Sequence, residues 1–283
     1  MADPTAEPGA MSQRSDNADP LGLLVWPLLH QEATRAAATD AAMASLLAAT
    51  ILNVNSLGGA LSRNLARKLG DETLEAMSLG RIIDGVYEAV PSIVEMAEHD
   101  LNAIVERDPA SAGYLKPFLF FKGFLGLQTH RIANVLQVTG RETLAAWLQS
   151  RSSALFHIDI HPAACIGRGV FIDHGVGVVI GETAIVGDRV SILQGVTLGG
   201  VGSNRGHRHP RIGNGVLLSA DATVLGDISI GDDAKVAAGS VLLRSVPAGC
   251  TAVGVPARLV NRDPRAAPAR TIDEGLVGHQ LPG

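Results

Sequence analysis

The chain has little that would let it rely on covalent staples, nucleic acid or a membrane. Only two of its 283 residues are cysteines, Cys165 and Cys250, and two thiols do not make a disulfide framework, so a reducing cytoplasm is the expected setting. There is no basic excess: 23 Lys and Arg face 28 Asp and Glu, a net charge of -5, which removes the usual signature of phosphate-backbone binding and with it a nucleic-acid partner. No apolar run reaches the roughly 20 residues needed to cross a bilayer. The most apolar early stretch, "LGLLVWPLL", is broken by Pro27 and follows Asp16 and Asp19 instead of a basic region, so neither a membrane span nor a signal peptide is expected. A G-x-G-x-x-G turn and a Walker lysine are also missing, which argues against a dinucleotide or P-loop fold. What remains, 46% hydrophobic and 18% charged, is the composition of a globular protein.

Aromatic residues are only 4% of the chain, and they are unevenly placed. Both tryptophans, both tyrosines and five of six phenylalanines lie at or before Phe156; after it only Phe171 remains. The first part reads as helices. In "PSIVEMAEHDLNAIVERDP" the residues Ile93, Val94, Ala97, Leu101, Ile104 and Val105 recur at helical spacing behind a Ser92/Glu95 capping-box pattern, and Asp108-Pro109 stops the run. Other segments, ending at Gly70 and Gly140, behave alike, giving an expected six to eight helices over residues 20–151. The ends, 1–18 and 262–283, are poor in large apolar side chains and are expected to be mobile tails.

The second part changes period. Ile160, Ile166, Ile172, Val178, Ala184, Val190 and Val196 recur every six residues, and after an interruption so do Ile212, Leu218, Val224, Ile230, Val236 and Leu242. A six-residue repeat with an aliphatic at one position and glycine or small residues beside it is the mark of a parallel β-helix. The expected architecture is therefore an all-α domain over 19–156, followed by a left-handed parallel β-helix over 157–261. About four coils are expected, near 20 Å tall at roughly 4.8 Å per strand, with glycines as in "IGRG" and "IGNG" at tight corners. Between Val196 and Ile212 the phase slips by four residues, so "LGGVGSNRGHRHP" must leave the wall as a loop. It carries Arg205, His207, Arg208 and His209, and loops on rigid scaffolds are where chemistry concentrates.

Reactive groups on this scaffold are few: Asp159 and His161 in "DIHPAA", Asp173 and His174 in "IDHG", Glu182 in "GET", and the "HRHP" cluster. Plainer readings compete. His161 fits a corner residue bonded locally, His130 a packed helix residue and Cys165 wall filler, while Glu182 is equally a site residue or a loop brace.

These motifs, with the helical "LARKL", "RDPA" and "KGFLGLQTHRIA" and the later "DIHPAACIGRG", "IDHGVGVVIGETA" and "VSILQGVTLGG", closely resemble serine O-acetyltransferase, the acetyl-CoA-dependent enzyme of cysteine biosynthesis. The likeness runs from Asp19 to Val260. It implies His174 as general base, since an alcohol attacks a thioester poorly until its proton is taken, with Asp159 orienting the ring. It implies Arg208 on the substrate carboxylate, Asp108 and Asp173 on its ammonium, and His209 shaping the acceptor and oxyanion region; Glu182 is our own further candidate for the substrate site. Acetyl-CoA, the co-substrate, is expected near Gly200, Ala220 and Ala238, where small side chains allow close approach; Lys235, Arg244 and Arg258 are our own candidates for its phosphates. No metal is implied. L-cysteine is implied as an inhibitor, and a trimer or dimer of trimers with sites in clefts between subunits as the assembly.

One register test complicates this. Asp159 precedes His174 by fifteen residues, whereas a regular coil takes eighteen and would set Asp159 under Gly177, so the pair needs an irregular first coil or a neighbouring subunit. The chain also departs from the family in its loop, with Gly206-His207 before "RHP", and in ending "HQLPG" where many members end in isoleucine, which counts against a cysteine synthase complex. Competing readings are acetyl transfer to homoserine or a sugar, a three-histidine zinc site of carbonic anhydrase type, and a scaffold that binds cysteine synthase.

Overall fold

A computed structural model describes residues 24–202, 206–262 and 267–272. The expected tail 1–18, the residues beyond Ile272 and the loop residue Arg205 lie outside the described residues. The described residues begin with eight α-helices, α1 (Val25–Thr39), α2 (Ala41–Leu47, running on as a π-helical turn Ala48–Leu52), α3 (Leu57–Leu69), α4 (Ala76–Ala89), α5 (Ser92–Arg107), α6 (Leu115–Phe120), α7 (Lys122–Val138) and α8 (Glu142–Phe156). Two start where a side chain satisfies an otherwise orphaned amide: Asp40 accepts from Ala42 N at 2.9 Å and Ser56 from Gly59 N at 3.2 Å. The Ser92/Glu95 capping box does not form. α5 begins at Ser92 with Pro91 as its N-cap and no side-chain cap bond, because the fixed ring of Pro91 already starts the turn and leaves Ser92 inside it. None of the described helices is long and apolar enough to cross a membrane.

The strands that follow build three faces. The first holds β1 (Ile158–Ile160), β4 (Val178–Ile180), β7 (Thr197–Gly199), β10 (Thr223–Leu225) and β13 (Val241–Leu242); the second holds β2 (Cys165–Ile166), β5 (Ile185–Val186), β8 (Arg211–Ile212) and β11 (Ser229–Ile230). The third holds β3 (Phe171–Ile172), β6 (Ser191–Ile192), β9 (Leu217–Leu218), β12 (Lys235–Val236) and β14 (Cys250–Gly254), closed by an antiparallel β15 (Ala257–Arg262). All pairings but the last are parallel, and the first face counts five strands. There are thus five coils and not four, because the final turn, less regular in sequence, still completes the wall.

Each side of a coil sends two side chains inward. Ile158 and Ile160, Ala164, Val170 and Ile172, and above them Val178 and Ile180 are all at most 3% exposed. Ile160 pairs with Ile180, twenty residues on, so two extra residues sit in the corner after Ile172. Sampling every sixth residue from Ile160 therefore slides from one inward position to the other at Val178. The larger interruption moves Val186 to pair with Ile212, twenty-six residues on, against eighteen between Arg211 and Ser229, so eight extra residues leave the wall there.

The corner glycines at the second position of the hexad, such as Gly167 and Gly213, serve stacking and not dihedral freedom. A Cβ on Gly213 would lie 2.5 Å from Asp232 Oδ1 of the next coil, while the left-handed position falls two residues later, at Gly215 with φ 64°. Cys165 faces outward and is exposed, not wall filler as expected, because Ala164 and Ile166 take the inward positions on its side.

The helices cover the lower end of the third face and the first coil. α7 is buried along almost its whole length; a Cβ on Gly123 would overlap the carbonyl oxygen of Ile172, so glycine alone lets helix and coil touch. Asp100 on α5 and Arg131 on α7 form a buried ion pair at 2.8 Å, and Arg131 donates onward to Ile166 O and Gly167 O while Asp100 accepts from Val170 N. The pair thus ties two helices to the second and third faces of coil one. Arg107 at the end of α5 reaches Ser191 Oγ at 3.2 Å, and Ser191 in turn donates to Ala269 O. Ala269 belongs to α9 (Pro268–Thr271); this turn, inside the span expected to be mobile, is seated on the third face.

Candidate active site

The outward groups of the β-helix are sorted by its edges. One edge leads from the third face into the first. It carries Asp173 and His174, then Gln194, Ala220 and Ala238 in successive coils, stacked by bonds from Gly195 N to Val176 O, Asp221 N to Gln194 O and Gly239 N to Ala220 O, at 2.9, 2.9 and 2.8 Å. The backbone turns there through left-handed residues, Gly195, Asp221 and Gly239 in the upper coils and His174 (φ 54°) in the lowest. His174 stands at the two-residue bulge, exposed, where the extra residues push it off the wall. Ala220 and Ala238 above it leave a shallow track with no large side chain of their own.

The next edge leads from the first face into the second. It carries His161, Gly181 to Thr183, the excursion from Gly200 to Pro210, and Arg244. Here the side chains are interlocked. Arg208 binds Glu182 Oε2 at 2.8 Å, Thr183 Oγ1 lies 2.9 Å from His209 Nδ1, and Arg208 N donates to Thr183 Oγ1 at 3.1 Å. The Arg208 bond, with the Arg208 charge, holds the Glu182 carboxyl below the usual range. Burial, and then the Arg208 charge, keep His209 less basic than a free histidine. His161 accepts from Ala163 N at 3.1 Å, the locally bonded corner residue expected.

Between the two edges lies the first face, three strand residues and two half-corners wide, about 10–15 Å of chain. Asp159 stands on it in β1, opposite Val179 and not Gly177, and its Oδ1 accepts from Gln149 Nε2 of α8 at 2.7 Å. The first coil is irregular, but its two extra residues carry Asp159 further along from His174, and no hydrogen bond joins the two within the chain. Gly177 N does bond His157 O at 2.8 Å, which brings the His174 corner within two residues of Asp159. Asp108 caps the end of α5 and accepts from Ala110 N at 2.8 Å. One chain therefore brings together Glu182, Arg208, His209 and Gly200 on one edge and Asp173, His174, Ala220 and Ala238 on the other, and does not join the two sets.

The candidate phosphate contacts divide as well. Arg244 and Arg258 are exposed and line one cleft at the top of the β-helix, whereas Lys235 is 7% exposed in β12 of the third face. Among the described residues no group of three His, Cys, Asp or Glu side chains is placed to hold a metal ion, so the three-histidine reading finds no site there. Thr183 and Gln149 escaped the sequence reading. Thr183 was signalled only by following Glu182 on a corner; Gln149 sits in an ordinary helical pattern and gave no signal.

A helical domain seated on a parallel β-helix of hexads, with its candidate catalytic and binding side chains on two of the edges, defines a hexapeptide-repeat transferase. Residues 209–244 match the bacterial transferase hexapeptide family and residues 25–129 the serine acetyltransferase N-terminal family. The serine acetyltransferase of Haemophilus influenzae is 45% identical over 90% of this chain and 95% of its own. A serine acetyltransferase solved as a complex with cysteine superposes with a TM-score of 0.89 at 44% identity, covering 90% of this chain and 100% of that one. Another, from Brucella abortus and in complex with coenzyme A, does so at 0.83 and 46%, covering 84% and 95%. The chain belongs to the serine acetyltransferase family.

Proposed function

We propose that the chain transfers the acetyl group of acetyl-CoA to the hydroxyl of L-serine, at a site completed between two copies of itself. The observation that carries this is the division of the candidate catalytic and substrate-binding groups between two edges of one prism. His174 can act as a base and Arg208 can hold a carboxylate, but they face different edges, and a second copy setting its His174 edge against the Arg208 edge of the first unites them. A trimer repeats that contact three times, and two trimers joined through the helices would leave it unchanged.

The chemistry follows from the groups. His174 takes the hydroxyl proton as the serine oxygen bonds to the thioester carbon; the tetrahedral intermediate then expels the thiolate of coenzyme A, which takes the proton back from the imidazolium. No acyl-enzyme is formed. Asp159, two residues from the backbone contact with the His174 corner, orients the ring and stabilises its cation. Arg208, braced by Glu182, presents a planar fork to the serine carboxylate, and Asp173 with Asp108 receives the ammonium. Coenzyme A lies along the track past Ala220 and Ala238 toward Gly200, with Arg244 and Arg258 for its phosphates. L-cysteine, which shares the ammonium and carboxylate of serine, competes for the same groups. Two unpaired cysteines suit the cytoplasm. Retention of cysteine synthase in a pull-down tests whether that enzyme is a partner.

Coenzyme A release with serine as acceptor tests the reading. His174→Ala lowers kcat at least about 10²-fold with the oligomer intact, and Arg208→Ala chiefly raises the KM for serine. Mixing the two variants and reassembling them restores part of the activity at a serine concentration too low to support Arg208→Ala alone if two chains share a site; near-normal turnover of His174→Ala, or faster reaction with homoserine or a sugar, overturns the assignment.

A further inference from the structure

We propose that Thr183 is a positioning residue that fixes His209 as a neutral imidazole protonated on Nε2, so that this ring serves as a hydrogen-bond donor and not as a second base. The inference rests on the acetyl-transfer reading above. Its ground is the direction of three bonds. A backbone N–H can only donate, and that of Thr183 lies 3.2 Å from His209 Nδ1. The backbone N–H of Arg208 likewise can only donate, and it occupies Thr183 Oγ1 at 3.1 Å. The hydroxyl proton of Thr183 is thereby turned toward Nδ1, 2.9 Å away. Two donors converge on Nδ1, which must present its lone pair, and in a neutral imidazole the proton then sits on Nε2.

The surroundings agree. A proton added to Nδ1 would set one N–H against another, and the nearby positive charge of Arg208 and the ring of His161 oppose it. Among the described residues Glu182 is the one carboxylate facing the ring, and Arg208 already holds it at 2.8 Å. The far end of the ring is kept clear by glycine: a Cβ on Gly181 would overlap Nε2, and one on Gly200 would lie 3.0 Å from it. Nε2 has no partner among the described residues, so its N–H is available to the acceptor's carboxylate or to the oxyanion of the tetrahedral intermediate.

Amide replacements separate the two ends of the ring. In His209→Gln the amide NH2 reaches the place of Nε2; in His209→Asn the amide ends near Nδ1, where its oxygen can accept from Thr183 but nothing donates beyond. We expect kcat/KM for serine to fall in both variants, and at least about tenfold further in the Asn variant than in the Gln variant, the cost of one donor. Thr183→Ser should match the parent and Thr183→Val should fall about tenfold, mainly through the KM for serine. The pH profile of kcat should keep its basic ionisation in His209→Gln. Equal activity of the Gln and Asn variants, parity of Thr183→Val with Thr183→Ser, or loss of that ionisation in His209→Gln overturns the proposal. Coenzyme A binding by each variant verifies its fold, and His174→Ala in the same assay reports separately on the base: an active His174→Ala overturns the acetyl-transfer mechanism without touching the Gln/Asn contrast.

Discussion

The helical half and the β-helical half solve the problem of burying polar groups in opposite ways. The β-helix expels them: its inward positions are aliphatic or small, and its functional side chains stand outside, at corners where the backbone has just turned. The helical half takes them in. Asp100, Arg131, His130, Gln128 and Asn64 are all at most 5% exposed, and most of their bonds hold helices to each other or to the first coil. A stacked coil repeats one backbone pattern and needs no side chain to hold it in register. Helices meeting a sheet end-on have no such repeat, and their register must be fixed by directional bonds.

That contrast can be broken most severely at the Asp100–Arg131 pair. Arg131→Met leaves a buried carboxylate without its cation and frees the carbonyls of Ile166 and Gly167, and should cost about 3–5 kcal/mol. Denaturant unfolding should then show the helices losing structure before the β-helix; a single unshifted transition would mean that the pair does not carry the junction.

A smaller effect sharpens the contrast through pH. His130 is buried on α7, its Nδ1 lacks a partner, and burial, then the charge of Arg131, pull its pKa down to about 3. Its folded pKa is depressed below the unfolded value, so the unfolded chain binds the extra proton and stability falls as the pH drops from about 6.5 toward 3, by about 1.4 kcal/mol per pH unit from this group. His130→Leu should flatten that slope, and a slope unchanged in the variant removes His130 as its source.

The smallest effect crosses from one half to the other. Gln149 on α8 is the helical residue that touches a candidate catalytic group, holding Asp159 at 2.7 Å. Gln149→Leu should lower kcat by about threefold to tenfold with KM for both substrates nearly unchanged, and Gln149→Asn should not rescue it, being too short. A change confined to KM would assign Gln149 a packing role.

Much of this was readable from residues because it depends on composition and period. The fall in aromatic content at Phe156 coincides with the end of α8, and the hexads announced the coils. The single chain places Arg208, His209 and Glu182 side by side, which the loop's phase slip and the lone Glu182 left open. His174 was legible as a candidate, but its bulge was hidden: both inward positions are aliphatic, so a two-residue insertion moved the sampling frame without exposing a polar residue. The capping box at Ser92 misled because Pro91 had already begun the helix.

The sequence by itself determined the scaffold, since a six-residue period of aliphatics has one stable way to bury itself, and it determined the family through motifs carried on that scaffold. Only the tertiary structure decided how the reactive groups are shared between edges, that Gln149 reaches Asp159, and which end of His209 is free to donate. Those outcomes depend on which coil lies over which and on where a backbone N–H points, and neither is a property of any residue alone.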